Sequence, residues 1–529
     1  MMEADLVIKD ALVVDGTGKP GFKADVAVKD DTIASVSPKA NVSAHRTVDA
    51  RGLVLSPGFV DIHGHSDYFV MVLPGCDSKV LQGITTEVGG NCGYSAAPIK
   101  GELARDRHGT HKELYDLDAD WESMGQYLER LSQTPLAMNY APLTGFNTIR
   151  ASAGCFDSMP RSKEQQQAML DMVKEALESG AFGMSLGLTY APGSFASLDE
   201  IVECARLVAE CGGIVASHIR SEGEELIESI QESVDICRGA GVRFQVSHLK
   251  TSGVHNWGKL EKVFELIESA REEGLPVQAD RYPYLASFTQ LSAALPPWVF
   301  EGGKDAFFGR LADSSARLRM REELEKREDY HDRWERIIIS QVFHDELNCY
   351  EGQSVAEAAK ARGMDPVDFV CFLVSKAQDR VAAAYHTMSK GNLQRIYKKD
   401  WVVVGSDAAV RTHSGYLSEG KPHPRAFGTM PRMISWVVKE NGWLELPECI
   451  RKMTSGPCEI MGIRDRGVIE EGKKADLVLF HPDEIKDLST YDHPKQYPAG
   501  IDMVLVNGRP AAEKGQLTGA RPGEVLQRS

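Results

Sequence analysis

Four histidines close apolar segments of the chain, a pattern typical of a metal centre. His63 and His65 stand two residues apart at the end of FVDIHGH, so on a strand both imidazoles would point to the same face. The segments GIVASH and RFQVSH also end in a histidine, His218 and His248. Neutral imidazole is a common metal ligand, and rings from the ends of several strands can together bind zinc. We therefore interpret these histidines as candidate ligands rather than as polar residues that merely finish strands.

A carboxylate and a thiol could complete such a centre. Asp407 ends the apolar run of WVVVGSDAAV, where a carboxylate beside a metal can accept a proton from bound water and pass it to a leaving amine. An aspartate at this place could also cap a helix. Cys92 stands among glycines in TTEVGGNCGYSAAP, where the backbone can bend sharply and a thiolate could bridge two divalent ions. Most lone cysteines are buried and inert, so Cys92 is a candidate only beside the histidines.

The segments that carry these residues predict an α/β fold of the (β/α)₈ barrel type. Short apolar runs alternate with amphipathic stretches, such as the stripe of Ile201, Cys204, Ala205 and Val208 before GIVASH. In such units the polar residues that close the strands lie at one mouth, where ligands bind. The candidate strands are FVDIHGH, TTEVGGNCG, AMNYAPLTG, FGMSLGL, GIVASH, RFQVSH, PVQADRY and WVVVGSD.

The two ends of the chain predict a second, discontinuous domain. Residues 5–50 alternate in short strands, and VIEEGKKADLVLFHP and IDMVLVNGRPAAEKG repeat that pattern near the C-terminus. We expect a small β domain from residues 1–58 and 465–529, around a barrel of residues 59–464. The stretch between PVQADRY and WVVVGSD is too long for a loop. Because much of it is charged, we expect a mostly helical lid, residues 285–345, inserted over the barrel mouth.

Composition narrows the function to a small-molecule role. The 529 residues are 42% hydrophobic and 26% charged, which predicts a globular protein. The net charge of −16 argues against a surface built for nucleic acid or anionic lipid. Neither a signal peptide nor an apolar span of about 20 residues is present, and the ten cysteines form no C-x-x-C pair. We expect a soluble cytoplasmic protein, monomeric or homo-oligomeric.

These motifs together resemble the N-acyl-D-amino-acid deacylase (D-aminoacylase) family of the amidohydrolase superfamily. The resemblance covers nearly the whole chain and includes SPGFVDIHGHSD, QGITTEVGGNCGYSAAP, SHIRSEG, VSHLKTSG, DRYPY, VGSDA, KPHPRAFGTMPRM and GVIEEGKKADLVLFHP. It implies a barrel with a small β-sandwich from both termini. It also implies one tightly held zinc ion on Cys92, His218 and His248, and a second, weaker metal site on His63, His65 and Asp407.

The resemblance further implies a reaction, the zinc-dependent hydrolysis of N-acyl-D-amino acids to a carboxylate and a free D-amino acid. Asp407 would be the catalytic acid and base, and Arg425 would hold the substrate carboxylate. Lys250, Tyr190 and Tyr282 would assist Arg425. A guanidinium fork suits a free carboxylate, which agrees with this role.

Two other functions remain open from the sequence. A cyclic amidohydrolase of the hydantoinase or dihydroorotase kind shares the barrel and the H-x-H pair but usually bridges its metals with a lysine on the fourth strand. That strand reads AFGMSLGL here and contains no lysine, while Cys92 is available. A non-catalytic scaffold with the same fold would be marked by lost metal ligands, yet His63, His65, His218 and His248 are all present.

Overall fold

The computed structural model describes residues 2–327 and 329–528. Residues 1 and 529 of the predicted β domain and residue 328 of the predicted lid therefore lie outside the described residues. The strands are β1 (Met2–Val13), β2 (Phe22–Lys29), β3 (Thr32–Ser37), β4 (Val42–Asp49), β5 (Val54–Pro57), β6 (Phe59–Asp61), β7 (Ile84–Gly89), β8 (Asn139–Pro142), β9 (Thr144–Gly145), β10 (Gly183–Gly187), β11 (Ile214–His218), β12 (Arg243–Val246), β13 (Val277–Arg281), β14 (Ser287–Gln290), β15 (Ile337–Val342), β16 (Val381–Tyr385), β17 (Val402–Val404), β18 (Leu477–Phe480), β19 (Ile501–Val506), β20 (Arg509–Glu513) and β21 (Gln516–Leu517).

Helices separate most of these strands. They are α1 (Phe69–Val72), α2 (Asp77–Val80), α3 (Gly101–Tyr115), α4 (Met124–Ser132), α5 (Phe146–Ser152), α6 (Lys163–Glu178), α7 (Leu198–Glu210), α8 (Leu226–Ala240), α9 (Leu260–Glu272), α10 (Gly303–Ala312), α11 (Ser314–Leu324), α12 (Tyr330–Arg336), α13 (Val355–Arg362), α14 (Pro366–Lys376), α15 (Lys390–Tyr397), α16 (Arg425–Arg432), α17 (Leu446–Met453) and α18 (Ser455–Met461). A π-helical stretch, Met433–Glu440, continues α16. Within the described ranges, no helix combines the length and apolar character that crossing a bilayer requires.

The central strands form the barrel predicted from the sequence. One set of parallel strands runs in the order β17-β13-β12-β11-β10-β9, and another runs β6-β7-β8. Only Leu143 separates β8 from β9, so these two are pieces of one barrel strand. A parallel bridge between Gly64 and Ala408 brings the end of the last strand beside the end of the first. The eight predicted strands therefore follow one another around a ring, and the predicted fold class is confirmed.

Helices cover the outside of this ring with their apolar stripes. On α7 the stripe of Ile201, Cys204, Ala205 and Val208 is buried, as its spacing predicts. The helix begins where Ser197 accepts a hydrogen bond from the backbone N–H of Glu200, a standard N-cap contact. The strands inside are buried on both faces, which explains why they read as continuous apolar runs rather than alternating ones.

Strands from both ends of the chain form one nine-stranded sheet. Its main path is β21-β20-β19-β18-β5-β1-β2-β3, and β4 pairs with β1. Because β18 lies antiparallel to β5, the C-terminal strands complete a sheet that the N-terminal strands begin. Leu6, Ile8, Leu477 and Leu505 lie in its apolar core. The exact bounds of the two halves remain a prediction.

The segment between β13 and β17 forms a separate unit. The strands β14, β16 and β15 pair antiparallel in that order, and we call them the lid sheet. The charge-rich stretch folds as α10, α11 and α12, and these helices share an apolar core with the lid sheet and α14. The middle strand, β16, lies beyond residue 345 in the chain. The bounds of the lid, residues 285–345, remain a prediction.

Candidate metal centre

The barrel places every predicted metal ligand at one mouth. His63 and His65 follow β6, Cys92 follows β7, and Asp407 follows β17. His218 is the last residue of β11, and His248 comes two residues after β12. Because the strands are parallel, their carboxyl ends lie on the same side of the ring.

The side chains converge on a small volume. The Sγ atom of Cys92 lies 3.3 Å from His63 Nε2 and 3.6 Å from His248 Nε2. His218 Nδ1 lies 2.9 Å from His248 Nε2. Asp407 Oδ1 lies 3.5 Å from His63 Nε2 and 3.0 Å from His65 Nε2. One candidate ligand atom from each of His63, Cys92, His248 and Asp407 lies within 4.8 Å of the other three.

The donor set fits a divalent metal such as zinc. Imidazole nitrogens, a thiol and a carboxylate are the ligand types that zinc takes in proteins. Burial raises the pKa of the Cys92 thiol, but the surrounding histidines, His63 above all, hold it well below its ordinary range. The thiolate is the form that binds metal, so the site favours the ligating form of Cys92.

Three of the candidate ligands have an unusual backbone conformation. Cys92, His248 and Asp407 have φ values of 52°, 38° and 53°, in the left-handed region that non-glycine residues seldom adopt. Such strain is concentrated at functional sites, where the surrounding structure holds it in place. The glycine beside Cys92 is also required sterically, because a Cβ at Gly93 would lie 2.2 Å from Asn147 Oδ1.

Two carboxylates that sequence analysis did not single out, the buried Asp280 and the half-buried Glu222, contact these histidines from behind. Asp280 accepts from His63 Nδ1 at 3.1 Å and from the backbone N–H of His248 at 2.9 Å. Glu222 Oε1 lies 2.9 Å from His248 Nδ1. Both residues stand in segments already noted, DRYPY and SHIRSEG, but no spacing rule distinguishes them there from surface acids.

The predicted substrate-binding residues surround the same centre. Arg425 Nη1 lies 2.6 Å from Asp407 Oδ2, and the Arg425 guanidinium lies 4.7 Å from the centroid of the Tyr282 ring. The Tyr190 ring centroid lies 4.8 Å from that of His218. Lys250 Nζ lies 2.8 Å from His248 Nδ1. The buried Tyr282 hydroxyl has no hydrogen-bond partner among the described residues, so this side of the centre has a free polar group for a ligand.

The carboxylate of Asp407 is electrostatically poised by its neighbours. Burial raises the pKa of this carboxyl, but the Arg425 guanidinium and the His248 ring lower it by more. The pKa therefore lies well below the ordinary range. These neighbours therefore favour the ionised form of Asp407.

A buried ion pair beneath the mouth fixes the ends of the first and last strands. Lys79 Nζ donates to Asp61 Oδ2 at 2.6 Å and to the backbone carbonyl of Ala408 at 2.8 Å. The backbone N–H of Ser406 donates to Asp61 Oδ1 at 2.7 Å. This network ties the segment of His63 to the segment of Asp407.

Comparison with known proteins relates the chain to metal-dependent hydrolases. Residues 46–512 match the family described as "Amidohydrolase family". The D-aminoacylase of Alcaligenes xylosoxydans xylosoxydans is 32% identical over 99% of this chain and 98% of its own, and the N-acyl-D-glutamate deacylase of that organism is 33% identical over 99% and 96%. The crystal structure of N-acyl-D-glutamate deacylase from Bordetella bronchiseptica, complexed with zinc and a phosphonate mimic of the tetrahedral intermediate, superposes with a TM-score of 0.84. It is 31% identical and covers 99% of this chain and 100% of its own.

Proposed function

The chain belongs to the amidohydrolase family, in the group of the D-aminoacylases, and we propose that it hydrolyses N-acyl-D-amino acids to a carboxylate and a free D-amino acid. The observation that carries this proposal is the convergence of Cys92 and the histidines beside the Asp407–Arg425 pair. The same geometry places a candidate metal site beside a candidate binding site for the substrate carboxylate. A linear N-acyl amino acid needs both, one for its amide and one for its carboxylate.

We assign the metal ligands as follows. A tightly bound zinc ion would be held by Cys92, His218 and His248, and a second, weaker divalent ion by His63, His65 and Asp407. A bound zinc ion polarises the scissile carbonyl and lowers the pKa of a bound water. Three protein ligands would leave one coordination position open for water or substrate, as in catalytic zinc sites.

The side chains of the protein then perform the remaining steps. Asp407 takes the proton of the attacking water and later gives it to the amine nitrogen as the amide bond breaks. Arg425, with Lys250, Tyr190 and Tyr282, holds the substrate carboxylate and thereby orients the amide. Because Arg425 contacts Asp407 in the free protein, a substrate carboxylate on Arg425 would draw positive charge away from Asp407 and make it a stronger base.

The site agrees better with a hydrolase of linear amides than with a cyclic amidohydrolase or a non-catalytic scaffold. The fourth barrel strand, β10, has the sequence GMSLG and offers no lysine to bridge two metals. The complete ligand set argues against a non-catalytic scaffold. The cytoplasm is the location we propose, because the Cys92 thiol must stay reduced to bind metal. The partner is a small molecule rather than nucleic acid or membrane, and the enzyme is a monomer or a homo-oligomer.

The proposal is tested with a panel of N-acetyl and N-formyl amino acids in both enantiomers, beside hydantoins. We expect hydrolysis of D-substrates, and we expect Asp407→Asn to lower kcat by about 10²–10⁴-fold while the tightly bound zinc ion stays in place. The matched control is Asp400→Asn, which alters an exposed carboxylate shortly before β17 and should leave kcat unchanged. Wild-type turnover in the Asp407→Asn variant, or hydrolysis of hydantoins alone, would contradict the proposal.

A further inference from the structure

One carboxylate oxygen contacts the outer nitrogens of two predicted zinc ligands. Glu222 lies in the loop after β11, four residues beyond His218. Its Oε1 atom is 2.9 Å from His248 Nδ1 and 3.9 Å from His218 Nε2. The same oxygen forms an ion pair with Lys250. Glu222 thus lies behind both rings, on the side away from Cys92.

Each of the two rings has one inner and one outer nitrogen. The inner atoms, His218 Nδ1 and His248 Nε2, face each other at 2.9 Å. A neutral imidazole carries its proton on one nitrogen only, so a metal can bind the inner atom when the proton is on the outer one. An acceptor at the outer nitrogen selects that tautomer and holds the plane of the ring. Glu222 Oε1 lies near this outer nitrogen in both rings, at 2.9 Å in His248 and at 3.9 Å in His218.

The buried ammonium of Lys250 gives the Glu222 carboxylate a second role. Its ammonium is buried and lies 2.8 Å from His248 Nδ1, and Glu222 is its partner in the one ion pair that Lys250 forms among the described residues. A bare ammonium at this distance would disfavour an N–H on the same ring nitrogen. The Glu222 carboxylate compensates the charge of this ammonium and lies 2.9 Å from the same ring nitrogen.

We propose that Glu222 is a positioning residue that sets the zinc affinity of this centre by orienting His248 and, through the same oxygen, holds Lys250 in place for the substrate. The inference rests on the proposed function for the identity of the metal and of the substrate carboxylate. It assigns Glu222 no contact with the reacting atoms.

The zinc dissociation constant of the full-length protein, measured by competition with a chelator, tests this role. We expect Glu222→Gln to weaken zinc binding by about 10- to 100-fold, the usual cost of removing an outer partner of a metal ligand. The metal-free variant should keep the thermal unfolding midpoint of the metal-free wild type. Zinc affinity equal to that of the wild type would overturn the proposal.

A matched control and a second variant keep the test decisive. Glu232→Gln removes a similarly half-buried carboxylate that pairs with Arg220 nearby, and it should leave zinc affinity unchanged. If Glu222→Gln does not fold, Glu222→Asp keeps the charge but withdraws the oxygen from His248, and it should also weaken zinc binding.

The Lys250→Met variant distinguishes the effect of Glu222 on the His248 ring from its neutralisation of the Lys250 charge. We expect Lys250→Met alone to keep zinc affinity and raise KM, and the double variant Glu222→Gln/Lys250→Met to keep the weakened zinc affinity. Wild-type zinc affinity in the double variant would show that only the ammonium mattered, and would overturn the role of Glu222 in orienting His248. Failure of the proposed function would look different: the variants would show the zinc affinities expected above, and the wild type would hydrolyse no N-acyl-D-amino acid.

Discussion

Cys92 is the residue that distinguishes this centre from a site built of histidines alone. Its sulfur lies within 3.6 Å of ring nitrogens from both His63 and His248, and its backbone adopts the left-handed conformation that turns the thiol inward. A thiolate is a far stronger zinc ligand than a hydroxyl, because the hydroxyl stays protonated at neutral pH.

Cys92→Ser should therefore cost the protein its tightly bound zinc. We expect less than one zinc ion per chain after dialysis, and a loss of turnover that returns only in part when excess zinc is added. Metal analysis and kcat measured with and without added zinc give the readout. Cys349→Ser, at an exposed cysteine, is the control and should keep both values. Full zinc content in Cys92→Ser would remove the thiol from the proposed ligand set.

Sequence analysis identified the candidate site residues that end strands, and it did not single out Asp280 and Glu222, which contact the histidines from behind. His218 and His248 are detectable because each closes an apolar run at a fixed place in a repeating βα unit. Glu222 stands in a polar loop with Glu224 and Glu225, and nothing in RSEGEE tells which acid turns inward. That choice depends on the packing of the loop against Lys250, a contact between different βα units.

At the scale of elements, the segment between β18 and β19 contacts α16, the helix that begins at Arg425. Asp487, before the last strands, accepts from the Tyr284 hydroxyl at 2.9 Å and lies 3.5 Å from Arg432 of α16. A Cβ at Gly428 of α16 would lie 1.9 Å from Asp487 Oδ1, so only glycine allows this close approach. The side chain of Asp487 is 2% exposed.

This buried carboxylate predicts a pH-dependent stability. Burial raises the pKa of Asp487 from 3.8 to about 6, although Arg432 opposes the rise. As the pH falls from about 6 to about 4, the folded protein binds this proton before the unfolded chain does, so the contribution of Asp487 becomes less unfavourable. Above pH 6 both states are ionised, and the folded state bears the full cost of the buried charge.

Asp487→Asn removes that cost and should stabilise the protein only where Asp487 is charged. We expect its free energy of unfolding to exceed that of the wild type by about 1–3 kcal/mol at pH 7.5, with a smaller difference at pH 5. Urea unfolding at the two pH values measures this. Asp483→Asn alters a fully exposed carboxylate of the same segment and should show no such difference. An equal effect of Asp487→Asn at both pH values would contradict the assignment.

Elements were predictable from the sequence in proportion to their apolar periodicity. The eight barrel strands and the stripe of α7 were predicted because buried strands and amphipathic helices have strong patterns. In the lid sheet, the sequences of β15 and β16, IIISQV and VAAAY, are apolar enough to be typical of buried strands, but Ser287–Gln290 has no such pattern. This short, partly polar segment is a strand only because it pairs with β16, a partner about 90 residues away in the chain.

At the scale of the whole molecule, a buried carboxylate of the discontinuous β domain, Asp476, pairs with Arg466 and also contacts the barrel. Arg466 Nη1 donates to Asp476 Oδ2 at 2.6 Å, just before β18. Asp476 also accepts from the backbone N–H of Asn507 at 2.7 Å and from Asn139 Nδ2 of the barrel strand β8 at 3.0 Å. One carboxylate thus connects the two C-terminal strands β18 and β19 with the barrel.

Arg466→Met should destabilise the whole molecule, because it leaves the Asp476 carboxylate buried without its cation. Removing one partner of a buried ion pair typically costs about 3–5 kcal/mol, and we expect a loss of this size in the free energy of unfolding. Arg464→Met, at an exposed arginine two residues earlier, should cost less than about 0.5 kcal/mol. Adding Asp476→Asn to Arg466→Met should recover part of the loss, since the buried charge is then gone and the amide can still accept from Asn507. If Arg466→Met unfolds in urea like Arg464→Met, the Arg466–Asp476 ion pair does not stabilise this junction between the β domain and the barrel.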